Sequence, residues 1–462
     1  MNDTNLVPVI LASKTLHSVH LEEICFKFIK QRINLKTVFF YFDLSNKYRL
    51  SSVRSFLLKF IGRCFEQIVK DEKFLKLEFD LVEDILSYAE LDVTSEMQVF
   101  KAAISWINHD QQQRSDFAPE LISTVRLPLL SQTVLRDLLE KENHFSKSRS
   151  CRRTIKRSIE KGDKNCQSRY CNDDDFYIYV CGSASTNHHC LPNKLTGKTH
   201  RIKANDPTKN QALPSMTKPR RDGTALTVEG NLYLLGGYDA NDKPVSTVEV
   251  YLPAKNKWKQ VFDIPNKRER FCACSFMGKI YIFGGIGESH NLFNYKRRCQ
   301  IFDPVRKQLT EGRKMKKYVV RSACAVYRDR IVVSGGFQSM RSCASYDPIA
   351  HEWTKFPSMV KKRYDHSSLV VRDKLYVIGG IKDSLEFYER INNCFTVVKK
   401  YPPCGLAEHS SVTRTLRLGN NILLFRGEVY SFDVDENEWK VFDRDCVTKK
   451  LQNFCCAIVP KF

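Results

Sequence analysis

The chain has 462 residues, too many for one hydrophobic core, and 42% of them are apolar, as in a folded multidomain protein. Its 74 Lys and Arg outnumber 52 Asp and Glu and leave a net charge of +22, and no apolar run of about 18 residues is present that would cross a membrane as a helix. The start, MNDTNLVPVILASK, lacks the basic flank and long apolar stretch of a signal peptide, and the 17 cysteines are too scattered for a disulfide framework, so the expectation is a soluble cytoplasmic protein with reduced thiols and no membrane contact.

The first periodic segment places Leu21, Ile24, Cys25, Phe28 and Ile29 at i, i+3, i+4, i+7 and i+8, a continuous apolar stripe on one helix. Phe56, Leu57, Phe60, Ile61 and Phe65 predict a second buried helix, and Leu81, Ile85 and Leu86, preceded by Phe74, Leu75 and Leu77, a third. In LDVTSEMQVFKAAISWINHD, Leu91 to Asp110, Ser95 followed by Gln98 reads as a capping box, and Val99, Ala102, Ala103 and Trp106 form one apolar face. Together these segments predict an all-helical bundle over roughly residues 33–143.

Residues 147–164, KSRSCRRTIKRSIEKGDK, concentrate Lys147, Arg149, Arg152, Arg153, Lys156, Arg157, Lys161 and Lys164. Blocks of like charge repel, so the segment predicts a solvated, extended linker over residues 144–172. A nuclear-import signal is an alternative use of the same run, whereas the absence of interleaved aromatic residues argues against nucleic acid as a partner. Cys151 beside Arg152 and Arg153 has the charged neighbours of a low-pKa redox thiol. Cys166, Cys171, Cys181, His188, His189 and Cys190 supply zinc-type donors, but their spacing matches no CxxC pairing, and no metal is expected.

From residue 173 onward the chain repeats. Gly236-Gly237, Gly284-Gly285, Gly335-Gly336 and Gly379-Gly380 each end a short apolar strand, at intervals of 284−236 = 48, 335−284 = 51 and 379−335 = 44 residues. After each doublet an aromatic pair follows at a separation of seven: Tyr251 and Trp258, Phe302 with Leu309 in degenerate form, Tyr346 and Trp353, Tyr388 and Phe395. A period near 50 residues with glycine turns and wedge-filling aromatics predicts one propeller blade per repeat. Phe432 and Trp439 behind Gly427 make a further blade, and FYIYVCGS, with Gly182 and Ser183, a degenerate first one, giving six. No inner strand precedes Phe176, and NFCCAIVP, Asn453 to Pro460, has the pattern of the missing strand, so the C-terminus is expected to complete the first blade.

Counted back from each first glycine, Arg221 lies 236−221 = 15 residues before it, Arg270 284−270 = 14, Arg321 335−321 = 14 and Arg363 379−363 = 16. Similar offsets in rotated blades predict a ring of arginines on one rim, joined by Tyr364, His366 and His409. Guanidinium groups suit bidentate contacts to carboxylate or phosphate, so a protein substrate presenting an acidic or phosphorylated peptide is the expected partner. An alternative is that some of these arginines satisfy carbonyls between blades. No convergent acid, nucleophile or metal constellation accompanies them, and no catalytic residue or cofactor is expected.

The glycine-doublet repeats, together with Leu91–Asp110 and VRLPLLS, Val125 to Ser131, resemble the BTB-BACK-kelch adaptor family, the kelch-like proteins. The resemblance implies a multidomain fold, an all-α BACK-like helical bundle followed by an all-β six-bladed kelch β-propeller. It divides the chain into a remnant of the last BTB helices (1–32), a BACK-like domain (33–143), the basic linker (144–172) and the propeller (173–462). A BTB domain of about 100 residues is expected to be mostly missing ahead of residue 33. The helix bearing Leu21, Ile24 and Phe28 is then either a cullin-3-facing surface or a helix packed on the bundle, with cullin-3 binding weakened. The implied function is substrate recognition for a cullin-3 RING ubiquitin ligase. The alternatives are a cytoskeletal, actin-binding scaffold, or a competitor of complete adaptors.

Overall fold

The computed structural model describes residues 5–93, 95–130, 132–140, 148–161, 176–184, 197–203, 206–265, 267–287, 297–381, 384–398, 413–426, 428–443 and 451–460. Residues up to 161 are helical and share one core, in which Phe42, Leu57, Phe65, Phe74 and Trp106 are buried. The helix Glu96–His109 begins at Ser95, whose hydroxyl accepts from Met97 N at 3.1 Å. The cap is thus one residue nearer than the expected box. Trp106 fills the bundle centre, and its indole N–H donates to Leu77 O at 2.9 Å, which satisfies its one polar atom. No helix among the described residues is long and apolar enough to cross a membrane.

Over its described residues, 148–161, the basic segment is not an extended linker. Arg149–Lys161 is a helix, and Cys151 and Ile155, one turn apart, are buried in the bundle core, with Ile159 packed beside them. Its charges occupy the remaining face, so the segment is an amphipathic helix. Burial raises the Cys151 thiol above its usual range, opposed by a hydrogen bond from Ser148, which reverses the expectation of a reactive low-pKa cysteine.

The propeller consists of six four-stranded antiparallel sheets. Five are built in chain order, from Thr224–Val228 through to Glu438–Asp443. The first blade is shared between the two ends of the region: Leu451–Pro460 forms its inner strand and pairs with Phe176–Ala184, outside which lie Thr199–Lys203 and Asp206–Leu213. The expected C-terminal closure is therefore present, and it leaves no unpaired inner edge. The glycine doublets turn with positive φ, +58° and +105° at Gly335 and Gly336, and a Cβ at Gly336 would meet Val320 O at 2.7 Å. In three blades the tyrosine after the doublet hydrogen-bonds a left-handed residue of the next turn: Tyr251 to Asn256 at 2.6 Å, Tyr346 to His351 at 2.9 Å and Tyr388 to Asn393 at 2.8 Å.

The helical bundle sits on the end of the propeller formed by the turns between first and second strands. Lys70 pairs with Glu229, and Arg328 donates to Pro128 O at 3.1 Å while also holding Asp373. At the opposite end, where the loops entering each blade meet the glycine turns, no described residue of the bundle makes contact.

Candidate partner-binding rim

Around that open end the loops entering successive blades are stitched together through their backbones. Arg321 N donates to Arg270 O at 3.0 Å, Asp365 N to Arg321 O at 2.9 Å, and Thr413 N to Asp365 O at 3.0 Å. Asp222, Arg270, Arg321 and Asp365 all lie 14 residues before their first glycine (236−222, 284−270, 335−321, 379−365) and all take a left-handed φ between +53° and +57°. A shared offset and a shared backbone conformation place these four side chains around the mouth of the central channel. They line a cavity of about 580 Å³ with Arg221 and Arg414.

The cavity carries both signs of charge. Arg321 is 3.3 Å from Asp365, Arg414 is 2.9 Å from Asp222, and Arg221 contacts both Asp222 and Asp242. Arg270, 40% exposed, has the loosest pairing, 3.7 Å to Glu269, and donates to the Tyr238 hydroxyl at 3.1 Å. Burial raises the Asp365 carboxyl above its ordinary range, with Arg321 and Arg270 pulling it back. An apolar sector adjoins: Phe337 is 55% exposed, meets Tyr364 edge-on at 5.9 Å, and the Arg321 guanidinium lies over the Tyr364 ring at 5.5 Å.

Among the expected site residues, Arg221, Arg270, Arg321 and Tyr364 meet at this rim. Arg363 does not. It is fully buried and donates to Glu386 Oε1 at 2.9 Å, to Ser384 O at 2.8 Å and to Gly379 O. Its true equivalents are Arg220 and Arg268, which share the offset of 16 (236−220, 284−268, 379−363) and donate to Gly236 O and Gly284 O. Arg220 pairs with buried Glu249 at 2.7 Å, and Arg268 with Gln300. One turn of loop separates a structural arginine from a rim position. His366 is also buried, with Nε2 2.9 Å from Ser334 Oγ, and burial with Arg363 nearby lowers its pKa to about 3, so it faces the cavity as a neutral ring. His409 lies outside the described residues. Asp222, Asp365 and Arg414 were missed; the first two follow from aligning offsets strictly, whereas the blade of Arg414 lacks an intact doublet to count from.

At the N-terminal end, the helix Val19–Arg32 turns Cys25, Phe28 and Ile29 into the bundle core, while Leu21 is half-buried and Ile24 is exposed. The stripe mainly packs inward, leaving Ile24 as the exposed member of the three residues expected to face cullin-3. Among the described residues no group of His, Cys, Asp and Glu is arranged to hold a metal ion.

Comparison with known proteins agrees with this architecture. The BACK family model, "BTB And C-terminal Kelch", matches residues 38–140, and the KLHDC2/KLHL20/DRC7 Kelch-repeats domain matches residues 170–380. The chain is 26% identical over 286 residues to Kelch-like protein 11 of Homo sapiens, covering 58% of this chain and 39% of that protein. It is 28% identical over 225 residues to Kelch-like protein 3 of Danio rerio, covering 49% and 30% respectively. With Kelch-like protein 6 of Homo sapiens it shares 23% identity over 345 residues, 72% of this chain and 54% of that protein. The chain thus spans less than two thirds of the length of these relatives. A helical domain matching BACK, followed by a closed six-bladed kelch propeller, makes this chain a member of the kelch-like, BACK-kelch family.

Proposed function

We propose that the protein is a non-catalytic adaptor whose propeller rim captures a protein substrate, and that the BACK end positions the substrate for a cullin-3 RING ubiquitin ligase. The observation that carries this reading is the open, charge-lined cavity at the end of the propeller opposite the helical bundle. A substrate held there faces away from the BACK domain, as a bridging role requires. Arg270 and Arg321 beside Phe337 and Tyr364 suit a peptide with an acidic side chain next to an apolar one. Asp222 and Asp365 limit how much negative charge the cavity accepts.

The test is co-purification from cells with mass spectrometry, with and without an inhibitor of cullin neddylation. Wild type is expected to enrich client proteins that accumulate under the inhibitor, and the R270A/R321A variant to lose them. Clients retained by a folded R270A/R321A variant would remove the rim from the reading. Clients indifferent to the inhibitor, together with co-sedimentation of the protein with filamentous actin, would favour the cytoskeletal scaffold instead.

A further inference from the structure

Of the four blades with an intact glycine doublet, three carry a buried arginine, and in the fourth both the arginine and its partner are missing. In strand register the acceptor is the residue opposite the one two before each first glycine: Glu249 opposite Leu234, Gln300 opposite Ile282, Ala344 opposite Val333 and Glu386 opposite Val377. The arginine position, 16 before the doublet, holds Arg220, Arg268 and Arg363, but in the fourth blade with an intact doublet it is Val319 (335−319 = 16). Where the other blades bury a guanidinium against an acid or amide, this blade has two small apolar side chains.

Beside these two positions opens a cavity of about 450 Å³, within the roughly 300–1,000 Å³ range of small-molecule sites. Val319, Val333, Ala344, Trp353 and Phe356 supply its apolar wall, and Lys355, paired opposite Ala344 on the neighbouring strand, also lines it. The loop above has residues at the positions that form an anion cradle in its counterparts. In the two blades whose partner is a glutamate, the carboxylate accepts from the backbone N–H groups 19 and 18 residues before the doublet. Glu249 takes Thr217 N at 3.0 Å and Lys218 N at 3.5 Å, and Glu386 takes Val360 N at 2.7 Å and Lys361 N at 2.9 Å. The equivalent N–H groups are those of Lys316 and Lys317 (335−316 = 19, 335−317 = 18), which line the cavity and have no acceptor among the described residues.

We propose that this cavity is a binding site for a small apolar carboxylic acid, one with an aromatic or branched aliphatic body. Its carboxylate takes the place of the missing glutamate on the Lys316 and Lys317 amides, and its body fills the space of the missing arginine. Lys355 and the Lys317 ammonium, the latter 2.7 Å from Ser342 Oγ, supply the positive charge that the arginine gives elsewhere. Neutral ligands of the same shape lose those charge-assisted bonds. The site is separate from the rim cavity and does not depend on what the rim binds.

The test is isothermal titration of the full chain with 2-naphthoate and with its neutral counterpart 2-naphthamide. Saturable one-site binding of the acid is expected, with the amide about tenfold weaker or more. Ala344→Glu delivers a carboxylate to the same amides from within the chain, and V319R/A344E restores the full pair. Both should weaken 2-naphthoate binding by about tenfold or more, the double variant without loss of melting temperature. Should A344E not fold, Lys355→Gln, an exposed change, is expected to weaken the acid and leave the amide unaltered. Absence of saturable binding to wild type, equal binding of acid and amide, or undiminished binding in the folded variants would each overturn the proposal.

Discussion

The Arg363 guanidinium donates to Glu386 Oε1 at 2.9 Å, and neither side chain has any exposure to solvent. Removing one member of such a pair leaves an uncompensated buried charge, a far larger cost than the net contribution of the intact pair. Arg363→Ala is therefore expected to destabilise the propeller by about 3 to 5 kcal/mol. Denaturant unfolding followed by tryptophan fluorescence measures it, and a loss no larger than that of an exposed arginine would contradict the buried geometry.

Arg270 and Arg321, only two residues along their loops from the structural position (270−268, 321−319), behave differently. Their ion pairs are 20–40% exposed, and such pairs contribute about 0 to 1 kcal/mol each. The double variant R270A/R321A should melt close to wild type while losing captured protein, and wild-type capture should weaken with added salt. Unfolding of this variant would show that the collar of backbone bonds needs these side chains; normal capture would move the site elsewhere.

The C-terminal strand Leu451–Pro460 buries Phe454, Cys455 and Val459 against Phe176–Ala184 and the neighbouring blades. Deleting residues 451–462 strips the first blade of its inner strand and opens an edge on both sides of the seam. The truncated protein should aggregate or be cut rapidly by protease in the propeller region. Unchanged melting would show that the ring does not depend on this strand.

Much of this architecture was legible because propeller blades repeat what they need. The glycine doublets mark turns that require positive φ, the aromatic pairs mark facing strands, and the absent strand before Phe176 pointed to the C-terminus. The rim was legible only in part. Offsets of 14, 15 and 16 look alike in sequence, but in the folded loop they separate Arg270 at the channel mouth from Arg363 inside a blade. The basic helix was misread because its charge density masked the spacing of Cys151, Ile155 and Ile159, and burial of those three decides the conformation.

Cysteine reactivity gives an independent check on that helix. Cys151 is fully buried with its pKa raised by burial, whereas Cys394, at the start of an outer strand, is exposed. Brief alkylation of the native protein, read by peptide mass spectrometry, should label Cys394 and spare Cys151 until the protein is unfolded. Early labelling of Cys151 would mean that the Arg149–Lys161 helix is not docked.

His366 makes stability depend on pH in a defined direction. Its folded pKa is lowered to about 3 from 6.5 by burial, with the Arg363 charge adding to the effect, so the native state keeps the ring neutral while the unfolded chain takes up a proton below pH 6.5. The unfolded state then binds more protons, and its contribution to stability, complete above pH 6.5, falls as pH drops from 6.5 towards 3. His366→Gln retains a hydrogen-bonding group beside Ser334 but cannot titrate. The variant is expected to be less stable than wild type at pH 7, with the gap narrowing by about 1.4 kcal/mol per pH unit as the solution is acidified below the histidine range. Asp365, whose raised pKa acts in the opposite sense, is common to both proteins and cancels in the difference. Denaturant unfolding of the pair at pH 7, 6 and 5 measures the gap, and a gap constant across that range would show that His366 is not held neutral.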